Sequence, residues 1–369
     1  MKILYITRKF PPSVGGMETA AYEMHASLQS LADVRIIKYG GANKYLPIVY
    51  PILLLRALFS GWLRRPDVIY LQDGMLAPMG VLLRVLVRRP CVVSVHGLDV
   101  TFPNKTYQKV MKFCFPKIDC VVAGGIQTET EVRNRHPLVK LKRVVYGCRD
   151  SFFIDRAQPA LREQLAKELS LDTEQIAGKK IIVTTGRLVK RKGVSWFVRE
   201  VMPTLAASQP HLTYLIAGDG PDKGEIQDAV NANGLRDKVF LLGYISSIAR
   251  DLLYNSADIF LMPNLKVPGD MEGFGLVAVE AASCGTPVFA SGIEGIVDAV
   301  AEGKTGRLLE SQNPRSFIDA INDEISHSMF SRQNVREYVL DNFSWEQTAA
   351  GYMRIFEKLK IDHHDRTKQ

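Results

Sequence analysis

Two glutamates eight positions apart, Glu272 and Glu280, lie in the most chemically informative stretch of this 369-residue chain. The segment MEGFGLVAVEAASCG predicts a helix that begins near Phe274, with Glu272 at its entrance and Glu280 two turns further along. A carboxylate on such an apolar helix needs a polar partner, which a hydroxyl-rich ligand or a structural side chain could supply. The N–H groups of Gly273, Phe274 and Gly275 are expected to point at whatever Glu272 contacts.

A run of cations, GRLVKRKG, follows the apolar segment KIIVTT. Arg187, Lys190, Arg191 and Lys192 place four positive charges within six residues at the carboxyl end of a predicted strand. Arg can bind a phosphate through two parallel hydrogen bonds, and Lys acts as a point charge. The position of the run therefore predicts a diphosphate site, although such runs are usually solvated surface.

Two further loops carry weaker signals. Gly15 and Gly16 precede a helix that is predicted to open near Glu18, so the backbone could approach a ligand and offer free N–H groups to an anion. His96, in SVHGLD, ends an apolar strand, where a neutral imidazole could bind a substrate hydroxyl while Asp99 orients it. An ordinary capped loop explains the second pattern equally well.

The segment LIAGDGP, with its turn at Gly218, does not carry the fingerprint of a nicotinamide cofactor. Its third glycine would have to stand at position 223, which holds Lys223, so the GxGxxG fingerprint is missing. Five cysteines without a CxxC pair also argue against a zinc site or a disulfide framework and fit a reducing cytoplasm. The first twelve residues contain too short an apolar run for a signal peptide.

Short apolar runs alternate with helical patterns along both halves of the chain, as is typical of βαβ units in a parallel, doubly wound sheet. All five loops then lie at carboxyl ends of strands, where open α/β sheets bind ligands. The predicted strands are Ile3–Thr7, Val34–Tyr39, Val68–Leu71, Cys91–Val95, Cys120–Ala123, Lys180–Thr185, Thr213–Ala217, Val239–Leu242, Ile259–Met262 and Val288–Ala290. The predicted helices are Glu18–Leu31, Tyr107–Phe115, Val194–Ala207, Gly224–Asn233, Phe274–Cys284 and Pro314–Ser326.

The pattern restarts halfway, so we predict an α/β protein with two Rossmann-like domains that face a central cleft. The first domain is expected over residues 1–155 together with a C-terminal helix at about 345–362. The second is expected over 178–344, and the polar stretch 156–177 is the predicted linker.

Jointly, these motifs resemble the retaining glycosyltransferases of family 4 (glycosyl transferases group 1), which have the GT-B fold. EGFGLVAVE is similar to the Glu-x7-Glu motif of that family and GRLVKRKG to its diphosphate loop, while GDGP, HGLD and the glycine pair occur in its order. YGCRDSFF (146–153) resembles the segment that ends its first domain, although Tyr146 and Cys148 depart from the usual residues. SWEQTAAGYMRIFEKL (344–359) is similar to its terminal helix, which crosses back onto the first domain.

The resemblance implies that the second domain binds a nucleotide-diphospho-sugar. Arg187 and Lys192 would hold the diphosphate and stabilise the leaving group, and Glu280 would accept hydrogen bonds from the ribose. Glu272 and the amides of Gly273–Gly275 would position the transferred sugar. Enzymes of this family usually need no metal, and the sequence offers no evident cluster of ligands, so neither a metal nor a cofactor is expected.

The same resemblance implies further contacts with the donor. The backbone around Tyr244 and Ile245 would face the base, with Gly218 also on the donor side, and His96 would touch the donor sugar. The glycine pair would approach the diphosphate or the acceptor. The glycine pair consists of Gly15 and Gly16. The candidate residues on the acceptor side are Glu18 and Asp99.

We therefore predict transfer of a hexose to an acceptor, namely a lipid-linked saccharide or glycolipid precursor in bacterial envelope or exopolysaccharide synthesis. The sequence leaves open UDP or GDP as the carrier, and the identity of the sugar. The alternatives are a soluble GT-B enzyme with a small-molecule acceptor, a sugar-nucleotide epimerase or phosphorylase, and a non-catalytic scaffold that binds sugar nucleotides. The intact cations and glutamates of the donor motifs argue against the scaffold.

The formal net charge of +8 is concentrated in the first domain. Residues 84–149 contain 13 Lys and Arg against 4 Asp and Glu, a local net of +9, which leaves about −1 for the rest of the chain. The apolar stretch 46–63 contains Arg56 and two prolines, so a membrane-spanning helix fits poorly. Two interpretations stay open: helices packed on the sheet, or a surface that docks on anionic lipid.

The second interpretation predicts a cytoplasmic protein that is peripheral at the inner face of the cell membrane. There it would glycosylate a lipid-linked acceptor at an anionic surface. No nucleic-acid partner is expected, because the sequence shows neither a recognition motif nor aromatic residues interleaved with the basic ones.

Overall fold

The computed structural model describes residues 1–13 and 15–368, which form two compact units. The first unit contains Met1–Gly147 and the C-terminal segment from Phe343, and the second contains Cys148–Asn342. Each unit has one six-stranded sheet in which the paired strands run parallel. The prediction of an α/β fold with two doubly wound sheets is confirmed.

The sheet of the first unit has the strand order β2-β1-β3-β4-β5-β6. Strands β3, β4 and β5 are buried at every residue, which explains why their sequences are unbroken apolar runs. The strand β6 is a charged edge strand that the apolar pattern missed. The bounds are β1 Lys2–Thr7, β2 Asp33–Lys38, β3 Val68–Leu71, β4 Cys91–Val95, β5 Cys120–Ala123 and β6 Leu141–Arg143.

The helices of the first unit pack on both faces of this sheet. The C-terminal helix contributes Phe356 and Tyr352 to the core, and the Tyr352 hydroxyl lies 2.6 Å from the Ser94 hydroxyl of β4. That helix continues past the predicted end at about residue 362, because no Gly or Pro interrupts it after Gly351. The bounds are α1 Gly16–Gln29, α2 Leu46–Arg64, α3 Ala77–Leu86, α4 Leu98–Thr101, α5 Lys105–Cys114, α6 Ile126–Arg135 and the C-terminal α17 Trp345–Lys368.

The second unit has the strand order β12-β11-β10-β7-β8-β9. Its edge strand β12 also lacked an apolar run long enough to predict it. The strands are β7 Lys180–Thr185, β8 Leu212–Ala217, β9 Val239–Gly243, β10 Ile259–Met262, β11 Val288–Ser291 and β12 Gly306–Leu309. The helices are α7 Gln158–Leu169, α8 Thr173–Ile176, α9 Val194–Glu200, α10 Met202–Ser208, α11 Lys223–Ala232, α12 Ser247–Ser256, α13 Leu276–Ser283, α14 Ile296–Ala299, α15 Pro314–His327 and α16 Arg332–Asn342.

Two predicted segments of the second unit differ from the structure. The stretch 156–177, predicted as a linker, forms α7 and α8 within the second unit, and Leu161 and Leu165 of α7 are buried. The helix predicted over Val194–Ala207 is divided into α9 and α10 at Val201. Pro203 stands at the start of α10, and its missing N–H cannot continue the ladder of α9.

Each sheet reverses its strand order beside its first strand. In the first sheet β1 lies between β2 and β3, and in the second β7 lies between β8 and β10. Such a reversal leaves a crevice at the carboxyl ends of the two flanking strands, which is where open α/β sheets bind ligands. The loops at these crevices follow β1 and β3 in one unit, and β7 and β10 in the other.

Candidate active site

The loops that follow β7 and β10 are held against each other in the second unit. The Leu265 N–H donates to the Arg191 carbonyl at 2.8 Å. Gly193, with φ of 65°, lies so close that a Cβ atom there would be 1.9 Å from the Pro263 carbonyl oxygen. Only glycine fits this position, so the cation loop is fixed on the β10 loop.

The centre of this arrangement is the Glu272 carboxylate. Its Oε2 atom accepts hydrogen bonds from Lys192 at 2.5 Å, from the Arg191 guanidinium, and from the Asn264 amide at 3.2 Å. The side chains of Lys192 and Glu272 are each 12% exposed. Burial opposes ionisation of Glu272, but Lys192 and Arg191 outweigh it and lower the pKa of Glu272 to about 2.

Neighbouring acids orient this cluster. The Asp270 carboxylate pairs with Arg191 Nε at 3.0 Å, and Glu294 Oε2 accepts the Glu272 N–H at 2.7 Å. Burial raises the pKa of Glu294. The sequence patterns gave no signal for Asp270 or Glu294, whereas Arg191 stood in the cation run without a role of its own. The structure brings Arg191, rather than Arg187, to Glu272; Arg187 is exposed on the same loop.

The helix that carries Glu280 begins two residues later than predicted. We predicted that the amides of Gly273 and Phe274 lie at the start of the helix. Gly275 has φ of 89° and precedes α13, so these amides belong instead to the loop before the helix. Phe274 itself is buried. The correction follows from the left-handed conformation of Gly275, which cannot be part of an α-helix.

Glu280 has a structural partner, which was one of the two possibilities left open. The Tyr254 hydroxyl donates to Glu280 Oε2 at 2.9 Å, and Tyr254 also lies 2.9 Å from the Thr185 hydroxyl at the end of β7. Burial raises the pKa of Glu280, while Arg250 and Tyr254 lower it in part. The second carboxylate oxygen can still accept a hydrogen bond from a ligand hydroxyl.

The predicted base-binding residues lie beyond β8 and β9. The Gly218 N–H donates to the Gly243 carbonyl at 2.7 Å, and a Cβ atom on Gly218 would lie 1.8 Å from the Gly186 carbonyl oxygen. Tyr244 and Ile245 follow directly, and Tyr244 is 77% exposed. The loops after β7, β8 and β9 are therefore in contact through their backbones.

In the first unit, the glycine pair opens α1 at Gly16, two residues before the predicted start. Glu18 is buried and pairs with Lys9 at 3.0 Å. A Cβ atom on Gly15 would lie 2.6 Å from Glu18 Oε2, so glycine at this position leaves room for that carboxylate. No sequence pattern pointed to a role for Lys9.

Both ring nitrogens of His96 are engaged. Nε2 lies 2.5 Å from the Gln72 carbonyl oxygen, and Nδ1 contacts the Tyr146 hydroxyl. A carbonyl only accepts, so in the neutral imidazole the proton is on Nε2, and Nδ1 accepts from Tyr146. The two rings also stack with an interplanar angle of 14°. His96 is thus oriented by Tyr146, a residue at which the chain departs from the family pattern.

Asp99, which we predicted on the acceptor side, holds two loops of the first unit together. One carboxylate oxygen accepts the His96 N–H at 2.7 Å, and the other accepts the Gly74 N–H at 2.9 Å. Burial raises the pKa of Asp99. Next to it, the fully buried Asp73 pairs with Arg8 at 2.7 Å, an ion pair that the sequence analysis missed.

In residues 1–13 and 15–368, no group of three or more His, Cys, Asp or Glu side chains is placed to hold a metal ion. The five cysteines of the chain are free thiols. The expectation that the reaction needs no metal stays a prediction.

Two family models match the chain. The model described as glycosyl transferases group 1 matches residues 167–340, and the model described as glycosyl transferase 4-like domain matches residues 39–146. The first match contains the Lys192–Glu272 cluster, and the second contains His96 and Asp99.

Similar proteins match over nearly the whole chain. An uncharacterized glycosyltransferase of Methanocaldococcus jannaschii is 25% identical and covers 97% of this chain and 98% of its own. The GDP-mannose-dependent alpha-(1-6)-phosphatidylinositol monomannoside mannosyltransferase of Mycolicibacterium smegmatis is 24% identical, with 94% and 96% covered. The crystal structure of Anabaena HepE in complex with UDP has a TM-score of 0.76 at 19% identity, with 97% and 100% covered.

Proposed function

From the premise that the chain belongs to the glycosyltransferases of family 4 (glycosyl transferases group 1), we propose a transfer reaction. The protein moves a hexose from a nucleotide-diphospho-sugar to an acceptor, with retention of configuration at the anomeric carbon. The observation that carries the proposal is the cluster of Lys192, Arg191 and Glu272 at the strand-order reversal of the second sheet.

This cluster suits a donor in two ways. The cations can bind the diphosphate oxygens and offset the negative charge that builds up as the sugar departs. Glu272, ionised at neutral pH, can accept hydrogen bonds from the hydroxyls of the transferred sugar. The exposed Arg187 lies on the same loop and can close on a bound diphosphate.

We propose no covalent sugar–enzyme intermediate. Double displacement needs a carboxylate that is free to attack the anomeric carbon. Of the two carboxylates in the motif, Glu272 is neutralised by two cations and Glu280 is bonded to Tyr254. The main contribution to cleavage of the sugar–diphosphate bond is therefore the stabilisation of the leaving diphosphate by Lys192.

The proposed acceptor is a lipid-linked saccharide or glycolipid precursor, met at the inner face of the cell membrane. The similar Mycolicibacterium protein has a phosphatidylinositol glycolipid in its name, and the first unit of this chain exposes large apolar side chains on α2 and α3. Both observations favour a lipid-borne acceptor over a small soluble one.

Nucleotide release from a panel of donors tests this proposal. Purified protein is incubated with UDP-glucose, UDP-galactose, UDP-N-acetylglucosamine or GDP-mannose. Each donor is tested without an acceptor, with polyprenyl-linked or phosphatidylinositol acceptors, and with small soluble sugars. We expect one donor to be consumed faster with a lipid acceptor, and NMR of the product to show the anomeric configuration of the donor. Consumption only with small soluble acceptors would favour the alternative, and failure of every donor would overturn the proposal.

A further inference from the structure

The helix α2 is apolar on both sides although only one side is covered. Leu53, Ala57 and Gly61 are buried where α2 packs on β1, β2 and α3. The opposite side is exposed, with Leu63 at 72% and Phe59 at 68%. We call the exposed side, together with the neighbouring end of α3, the apolar face. It consists of Ile48, Ile52, Leu55, Phe59, Trp62, Leu63, Leu82, Val85 and Leu86.

A contiguous exposed surface of this kind indicates a binding partner. The two helices are joined, because Trp62 Nε1 donates to the Leu86 carbonyl at 3.1 Å. The segment Asn43–Arg64 is long and apolar enough to cross a bilayer, but its packing on the sheet ties it to the first unit. A helix that is covered on one side can lie in a membrane interface with its other side in the lipid.

The segment that carries the apolar face is basic, which favours an anionic partner. Residues 33–98 contain nine Lys and Arg and three acids, Asp33, Asp67 and Asp73, which is a net of +6. Asp67 is paired with Lys360, and Asp73 is paired with Arg8. A second copy docked by a two-fold axis would bring two basic surfaces together, whereas an anionic lipid surface complements them.

A cavity of about 250 Å³ lies at the end of α3, where α17 passes it; we call it the basic pocket. Its walls carry Arg84, Arg88, Arg89, His363 and Arg366 against Asp119 and Asp362. Arg84 is paired with Asp119 at 2.8 Å, so the other cations outnumber the remaining acid.

The surroundings of His363 agree with this excess of positive charge. Burial, followed by the nearby Arg89 and Arg366, lowers the pKa of His363. Val85 belongs both to the apolar face and to the wall of the basic pocket, so the two features are continuous.

We propose that the apolar face lies in the interface of an anionic bilayer and that the basic pocket binds the phosphate of a lipid headgroup. The inference rests on the membrane part of the proposed function and gives it a defined surface. Arginines suit the ligand because a guanidinium binds phosphate through two parallel hydrogen bonds. Apolar side chains in the lipid then bring the headgroup phosphate level with the pocket.

Flotation of the full chain with vesicles tests the inference. Vesicles of phosphatidylcholine alone are compared with vesicles that contain about 30% phosphatidylglycerol, an amount that gives a negative surface potential. The pocket variant R89Q/R366Q should bind the anionic vesicles about 30-fold more weakly, as expected for two cations at a membrane surface. The face variant L55S/F59S should lose binding to both kinds of vesicle.

The matched control is R199Q/K304Q, which removes the same charge from exposed positions of the second unit. It should bind like the wild type. Equal losses in the control and the pocket variant, or dimerisation of a wild type that does not float, would overturn the inference. The inference would also be overturned if neither protein floats with vesicles while the wild type, but not R89Q/R366Q, binds millimolar inorganic phosphate. The pocket would then bind free phosphate and not a lipid headgroup.

Two further measurements keep these outcomes distinct. Thermal unfolding followed by circular dichroism confirms that the variants are folded. Donor hydrolysis in buffer without vesicles should be unchanged in R89Q/R366Q, because its two arginines lie outside the donor site. If R89Q/R366Q loses vesicle binding but still hydrolyses the donor, the two arginines act in lipid binding and not in the reaction. If the wild type floats with vesicles but hydrolyses no donor, only the proposed reaction is overturned.

Discussion

The ammonium of Lys192 lies 2.5 Å from the Glu272 carboxylate, and the guanidinium of Arg191 reaches the same oxygen. The acid thus keeps two cations in place at the carboxyl ends of β7 and β10. In the reaction we propose, these cations would face the donor diphosphate while Glu272 keeps them in place and accepts hydrogen bonds from the sugar. Binding of the leaving group and positioning of the sugar would in this way be coupled.

Removal of the Lys192 ammonium should therefore slow the chemical step. In Lys192→Ala, the charge on the departing diphosphate loses a buried cation, and we expect kcat to fall roughly 100- to 1,000-fold, as for loss of one preorganised group in a transition state. The measurement is nucleotide release at saturating donor.

Lys167→Ala is the matched control for this variant, since Lys167 is an exposed lysine of α7 in the same unit. Its kcat should equal that of the wild type. A Lys192→Ala enzyme with a near-normal kcat would show that the cation does not stabilise the leaving group.

The Glu272 ion pairs should also make the second unit sensitive to acid. The pKa of Glu272 falls from 4.5 to about 2 on folding, so its stabilisation is complete above about pH 4.5 and is lost as the pH falls towards about 2. The full effect is about 3 kcal/mol of unfolding free energy. The measurement is urea unfolding of the wild type and of Glu272→Gln between neutral pH and about pH 3.

We expect the wild type to be the more stable protein at neutral pH and its advantage to shrink steadily as the pH falls below about 4.5. Asp319→Asn, at an exposed surface ion pair with Arg315, serves as the control and should show almost no such change. A wild-type advantage that is constant over the whole pH range would contradict the assigned ionisation.

The sequence predicted both sheets because buried parallel strands are apolar runs, a local pattern. The cation run directly follows one such strand, and the two glutamates lie in the loop and the helix that come after another. The strands β6 and β12 escaped prediction because edge strands are not buried on both faces. Asp270 and Glu294 escaped as well, since their contacts with Arg191 and Glu272 arise only when distant loops meet.

The conformations of the loops could not be predicted from the sequence either. The start of α13 was predicted two residues early, because the apolar pattern does not reveal that Gly275 adopts a left-handed conformation. Likewise, HGLD suggested a histidine available to substrate. The contacts of His96 with Gln72 and Tyr146 depend on the strand-to-helix loops that the sheet brings together.

Gly193 should be irreplaceable for reasons of space. Its φ of 65° nearly equals the 68° of Gly178, but a Cβ atom meets the Pro263 carbonyl oxygen at 1.9 Å at Gly193 and no atom within 4 Å at Gly178. Gly178→Ala should cost about 1–2 kcal/mol of unfolding free energy from backbone strain alone. Gly193→Ala should cost roughly 2–3 kcal/mol more, because the loops must separate.

Urea unfolding and nucleotide-release assays of the two variants measure these effects. Gly178→Ala should keep its turnover, and Gly193→Ala should lose most of it as Lys192 moves away from Glu272. Equal stability and turnover in both variants would mean that the β7 and β10 loops adapt freely.

The Tyr146 hydroxyl should hold the His96 ring in place by donating to its Nδ1. In Tyr146→Phe, Nδ1 of His96 loses its donor in a partly buried setting, and we expect a loss of roughly 1–3 kcal/mol of unfolding free energy. Nitrogen NMR should at the same time show a shifted Nδ1 resonance, while Nε2 stays protonated against the Gln72 carbonyl. Tyr45→Phe, at a half-exposed tyrosine of the first unit, is the control and should leave both measurements unchanged. An unaltered Nδ1 resonance in Tyr146→Phe would show that this nitrogen does not accept from the Tyr146 hydroxyl.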